Sequence, residues 1–214
     1  MLNLPELANP VLSCEESKQQ LNPYFLKFIE CINGAWKQWI DYQMRHTMDN
    51  RARASMVNAA IVYRAKAAFA DLEPEVKFTA TGNSFFLYIG DHIKIRFKKF
   101  TADGRYSNLM TGRQIALLEQ QSNIPGVLPG TYLTVGYQLD KLEQNIQSRM
   151  VTLQVKKKIE YFIDLDEEVA SMDKVTAMPP LPSPAPPKRR VKPRENVKGL
   201  KKPNKAKGQA AGME

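Results

Sequence analysis

Cysteine, histidine and long apolar runs are all scarce in this 214-residue chain. Its two cysteines, Cys14 and Cys31, are too few for a disulfide scaffold and lack the paired spacing of a metal knuckle, which points to a reducing compartment. His46 and His92 are the only imidazoles, one near a helix end and the other on a strand, with no spacing that would support a proton relay. No apolar run approaches the roughly 20 residues that a membrane span requires. The stretch Met1 to Glu16 carries acids where a signal peptide has a basic start and an apolar centre. These absences lead to the expectation of a soluble, cytoplasmic protein. A Gly-rich phosphate loop, a paired-His helix and a nucleophile elbow are missing too, so P-loop, zincin and α/β-hydrolase chemistry lose their usual warrants. No cofactor or metal is expected, and the catalytic residues, if there are any, stay unknown.

Positive charge is abundant, but it is unevenly placed. The formal net charge is +9 and the pI near 9.5. From Pro179 to Glu214 the cations are Lys188, Arg189, Arg190, Lys192, Arg194, Lys198, Lys201, Lys202, Lys205 and Lys207, against Glu195 and Glu214, so this tail nets 10 − 2 = +8 and the rest only +1. A high pI therefore does not classify the body as nucleic-acid-binding. Proline dominates the start of the tail, in the run Pro179 to Pro187. It favours an extended spacer, with P-x-x-P spacings that an aromatic groove also accepts. The Lys/Arg-rich remainder cannot bury enough surface to offset chain entropy, which predicts disorder.

Ahead of the tail the pattern is helical first, then stranded. Asn22-Pro23 reads as a helix start, and Phe25, Phe28, Ile29, Ile32, Trp36, Trp39 and Ile40 then recur at steps of three to four, as one apolar face requires. A second helix is expected from Asp49 or Asn50 to about Leu72, with Met56, Ala59, Ala60, Tyr63, Ala67 and Phe69 inward and Pro74 ending it. Past Gly82 the period becomes two: Ser84 to Ile89, His92 to Phe100, Thr131 to Leu139, Met150 to Lys156 and Ile159 to Leu165 read as strands. Thr111 and Gln114 have the spacing of a capping box opening a short inserted helix. The predicted class is α+β: a helical pair covering an antiparallel sheet of about five strands. The boundaries are an N-terminal arm (1–16), the helices (17–74), a β-rich core in the same domain (75–168), and a disordered tail (169–214).

Two clusters invite a chemical reading. Ile93, Ile95 and Phe97 alternate with Lys94, Arg96 and Lys98, which predicts a sheet with one buried face and one wet, basic face. Lys94, Arg96, Lys98, Lys99 and Arg105, with Tyr106 nearby, then form a candidate nucleic-acid patch beside an aromatic platform. Lys188, Arg189, Arg190, Lys192, Arg194, Lys201 and Lys202 are the candidate phosphate contacts in the tail, giving affinity without sequence selectivity. A hydrolytic site around Asp91, Lys94, Arg96 and Arg113 is a further reading, which requires these side chains to converge.

Ile93-Lys94-Ile95-Arg96-Phe97-Lys98-Lys99, Thr111-Gly112-Arg113-Gln114, Ile124-Pro125-Gly126 and Thr131 to Asp140 together resemble a group of bacterial proteins. These look like the partners encoded beside helix-turn-helix proteins that carry an ImmA/IrrE-type peptidase domain, in toxin–antitoxin-like anti-phage loci. The resemblance spans about residues 75 to 165 and brings no catalytic signature. It implies a cytoplasmic toxin or effector held in check by a protein partner from the neighbouring gene. The alternative is a nucleic-acid-binding accessory protein that uses the basic strand face and the tail.

Overall fold

In the computed structural model the described residues are 11–81, 84–106, 111–121, 124–156 and 158–176. The expected spacer and cationic tail lie outside them. Helix α1 (Cys14–Leu21) is opened by Ser13, whose hydroxyl accepts from the Glu16 amide while Glu16 bonds back to the Ser13 amide. The expected arm of residues 1–16 is therefore already helical in its last residues. A short 3-10 turn at Asn22–Tyr24 carries the chain into α2 (Phe25–Ile40), so Asn22-Pro23 marks a change of helix type instead of a start from coil. Asp49 caps α3 (Asn50–Ala68) through the Ala52 amide. Six strands follow: β1 (Val76–Thr81), β2 (Ser84–Ile89), β3 (Ile93–Phe100), β4 (Thr131–Leu139), β5 (Ile146–Val155) and β6 (Lys158–Asp164). Helix α4 (Gly112–Leu118) lies between β3 and β4, and α5 (Leu165–Thr176) follows β6.

The strands stand in chain order across the sheet, every pair antiparallel except β3 with β4. This corrects the expected all-antiparallel arrangement and adds β1, just after Pro74, where the apolar residues Val76, Phe78 and Ala80 fall away to an alanine and two threonines. Thirty residues separate β3 from β4, long enough for a crossover that brings the chain back to enter β4 in the same direction. Parallel strands with such a connection are covered on both faces, and β4 is buried almost throughout.

On the first face α2 lays Phe25, Phe28, Ile32, Trp36 and Trp39 against Ile95, Phe97, Val135 and Tyr137, as its periodicity requires. Phe28 meets both Phe69 (5.5 Å between ring centres) and Phe97 (6.2 Å). Helix α3 bears out part of the expected inward face: Phe69 is buried and Met56 and Ala60 pack on the core, but Ala59, Tyr63 and Ala67 are exposed and Val57, Ile61 and Ala65 are buried in their stead. The Ala-rich sequence leaves several faces of similar hydrophobicity, so the pattern alone selects none.

The predicted tail begins too early. Leu165, Val169 and Met172 form an apolar stripe that packs on the first core, and Asp164 accepts from the amides of Asp166 and Glu167 to cap α5. Arg149 fastens this helix, reaching Asp166 (3.1 Å) and the Asn33 side chain (2.7 Å). The acids between the apolar residues hide the stripe in the sequence. A register shift at Gln154 likewise turns Ile159 to the opposite face from Tyr161 and Ile163, with which it was expected to align.

Gly136 sits opposite Lys98 in the parallel pair, and a Cβ there would lie 1.8 Å from the Lys98 carbonyl oxygen and 3.0 Å from the Phe100 ring. Space, not backbone freedom, dictates this glycine. Gly136→Ala should cost about 4 kcal/mol or more, in the range reserved for severe core disruption, measured by chemical denaturation or seen as failure to fold.

Candidate functional site

Lys94, Arg96 and Lys98 occupy alternate positions of β3 and project to the second face of the sheet, with Tyr132 and Thr134 of β4 opposite the first two. That face was expected to be wet. It is roofed by the crossover, whose Tyr106, Leu117, Leu118, Ile124 and Val127 pack on Phe86, Tyr88, Phe100 and Tyr132 as a second core. Hydrogen bonds hold the roof down. The Gln120 side chain pairs with both backbone groups of Tyr132, at 2.7 and 3.1 Å. The Leu128 amide donates to the Tyr88 hydroxyl (3.1 Å), and Arg96 Nη1 donates to Gln114 Oε1 (2.9 Å). Thr111 caps α4 through the Gln114 amide as predicted, but the Gln114 side chain turns to Arg96 and does not close a capping box.

The consequence for the cations is burial. Lys94 has 0% exposure and its Nζ meets no hydrogen-bond partner among the described residues. Burial pushes its amine down to about 8 from an ordinary 10.5. Lys98, half-buried, is pushed down to about 8 by burial first and by the Arg96 charge second. Arg96 and Arg113 both lie over the Phe86 ring, at 5.6 and 6.0 Å from its centre. Neither Lys94, Arg96 nor Lys98 forms an ion pair among the described residues. The neighbouring Tyr106 is no exposed stacking platform: it is buried against Phe100, and desolvation, aided by the Tyr132 phenol, raises its hydroxyl pKa.

The remaining body candidates are dispersed. Lys99 points to the first face, where Glu143 binds it (2.5 Å) together with Arg53. Arg105 is exposed and pairs with Asp103 (3.5 Å). The hydrolytic reading required Asp91, Lys94, Arg96 and Arg113 to converge. The crossover brings Arg113 to Arg96, but Asp91 stays exposed in the turn before β3 and supplies no carboxylate. Among the described residues no group of three His, Cys, Asp or Glu side chains is placed to hold a metal ion. Lys188, Arg189, Arg190, Lys192, Arg194, Lys201 and Lys202 lie outside the described residues. What the sequence reading missed is the role of the crossover as a roof; the buried stripe Leu117-Leu118 with Ile124 and Val127 was its available signal.

A second feature adjoins this cluster. Where the start of the crossover, Ala102 to Gly104, meets β5 and β6, a groove of about 570 Å³ opens, lined on the sheet side by Met150, Thr152, Ile159, Tyr161 and Phe162. Phe162 is 64% exposed there, on the strand at the sheet's outer edge. Among the described residues no helix is long and apolar enough to cross a membrane. Compared with protein-family models, curated proteins and solved structures, the chain matches none.

The uncompensated amine has a measurable cost. Below pH 8 the folded and unfolded chains both hold the Lys94 proton, and the folded state bears the full cost of the buried charge. Between pH 8 and 10.5 the folded amine is neutral while the unfolded one still binds a proton, so the cost is progressively relieved. In phosphate-free buffer at pH 7, Lys94→Met should be more stable than the parent by up to about 3 kcal/mol. Urea titrations from pH 7 to 10 should show that gap closing above pH 8.

Proposed function

We propose that this protein is the effector half of a bacterial two-gene module and works in the cytoplasm by binding a protein partner, the product of the neighbouring gene. The reading rests on the resemblance over residues 75 to 165, a span that coincides with the whole sheet, β1 to β6. The observation that carries it is the open edge at β6. An edge strand offers unpaired backbone groups, and the groove beside it offers apolar surface anchored by Phe162. That combination suits an extended segment of another protein, added as a seventh strand with apolar side chains directed into the groove. Lys158 and Glu160 pair with each other on β6 (3.2 Å), so the edge has little net charge and favours an apolar segment over a charged one.

The experiment is inducible expression in a bacterium, with and without the adjacent gene. The expected result is growth arrest by this protein alone, relief by the neighbour, and co-purification of the two. Phe162→Asp, confirmed as folded by circular dichroism, should weaken the association at least tenfold, since hot-spot aromatics commonly contribute 2 kcal/mol or more. Unchanged growth in both arms rejects the effector reading; unchanged association rejects the β6 edge.

A second reading, non-specific nucleic-acid binding, is favoured by the +8 carried by Pro179 to Glu214. It rests on the tail, because Lys94 is buried and Lys99 and Arg105 are paired with acids. Deleting residues 179–214 should abolish most of the salt-dependent affinity for a random DNA or RNA duplex. Equal binding by the truncated body would place the contact in the body instead.

A further inference from the structure

Where α2 ends against α3, a hollow of about 600 Å³ is lined by Gly34, Lys37, Gln38, Asp41, Tyr42 and Arg64. Two of these residues are hard to explain by stability. Gly34 stands inside α2, where glycine weakens a helix relative to alanine. Its bare backbone makes room for Arg64 of α3: a Cβ at position 34 would lie 2.7 Å from Arg64 Nη1 and 2.9 Å from its Cζ. The guanidinium accommodated in this way has no anion to neutralise it. Arg64 Nε is buried without an acceptor, and Arg64 forms no ion pair among the described residues. Asp41 is equally unexplained, because it caps the C-terminus of α2, where the helix dipole opposes a negative charge. Lys37 stands four residues earlier, at a spacing that permits an ion pair, and Arg64 lines the same hollow. Neither pairs with Asp41 among the described residues. Opposite charges thus share one polar hollow without meeting.

We propose that this hollow binds a small zwitterion of the amino-acid class, with the ligand's carboxylate on Arg64 and Lys37 and its ammonium on Asp41. A guanidinium offers a carboxylate two parallel donors. The C-terminus of α2 adds its partial negative charge to that of Asp41, which favours an ammonium. A purely anionic ligand would meet Asp41, and a purely cationic one would meet Arg64 and Lys37. Charges of both signs a few bonds apart satisfy all three, and a hollow of this volume is in the range that takes a small molecule. Gly34, Tyr42 and Arg64 are half-buried and form the inner part, whereas Lys37, Gln38 and Asp41 are exposed and form the rim. Gln38 and Tyr42 are left to select the ligand's own side chain. The hollow shares no residue with the groove beside β6, so it stands or falls independently of the partner-binding reading.

The test uses the full-length protein at pH 7, with the standard L-amino acids added one at a time and the melting temperature as the first readout. A ligand of the folded state raises the melting temperature saturably, and isothermal titration calorimetry then gives the affinity of the best binder. Its N-acetyl and carboxamide derivatives, each lacking one of the two charges, should bind about tenfold more weakly or worse. Arg64→Met should have an effect of the same size. Gly34→Ala separates binding from folding. Alanine favours the helix, and the atoms its Cβ would meet are the far end of a flexible side chain, so this variant should melt no lower than the parent. It should nevertheless lose binding about tenfold or more, because the guanidinium is displaced. Three results would overturn the site: no saturable response to any amino acid, either derivative binding as tightly as its parent, or unchanged affinity in either variant.

Discussion

Because β3 and β4 run in the same direction, the chain that leaves one must travel back over the sheet before it can enter the other. It makes that journey across the second face, and the rest of the molecule is arranged around the fact. The crossover supplies α4 and the second core. It encloses a strand whose alternating lysines and arginine look, in one dimension, like a solvated face. It touches β6 where Gly104 lies beside Ile159 and leaves a groove there, so the sheet is closed where the two runs of strands meet and grooved at its outer margin. Gly136 is the point at which this arrangement is tightest, where one strand's carbonyl occupies the space that any side chain on the other would need.

Electrostatics inherits that geometry. On the first face, charges are matched: Glu143 receives both Arg53 and Lys99, and Arg149 holds Asp166 against the start of α5. On the second face they are not, and burial pushes two amines toward neutrality. Similar residue types therefore have opposite status within one strand. Lys99 is one half of an ordinary ion pair, and Lys98, its neighbour in the chain, is a desolvated cation beside another cation. Which status each receives is decided by the parity of its position in β3 and by what lies above that face.

Much of the architecture was legible before any coordinate. The stripe of α2, the Asp49 and Thr111 caps and five of the six strands follow from local chemistry: periodicity, capping oxygens and alternation all act within a few residues. The misreadings share a cause, which is dependence on partners distant in the chain. The direction of β4 relative to β3 is set by a connection whose course no local pattern records. Burial of Lys94 follows from that direction, not from the residues beside it. Helix α5 is apolar on one side only when Leu165, Val169 and Met172 are counted across intervening acids, and α3 offers several equivalent faces until α2 selects one. Convergence of Arg113 with Arg96 is long-range in the same sense, whereas the isolation of Asp91 was foreseeable from its place in a turn.

The division of the sheet has a consequence for how the chain assembles. Strands β1 to β3 and β4 to β6 are two runs of neighbouring hairpins, each closed by short connections, and the only joint between them is the seam across a thirty-residue excursion. Local pairings form at little entropic cost, whereas the seam pays for closing the long loop. Helix α2 lies across that seam, with Phe28 on Phe97 of one half and Trp36 on Tyr137 of the other (6.0 Å between ring centres). It acts as a staple made early in synthesis, waiting for both halves. The slowest amide exchange therefore belongs to β3, β4 and the inner side of α2, where opening requires the two halves to part together.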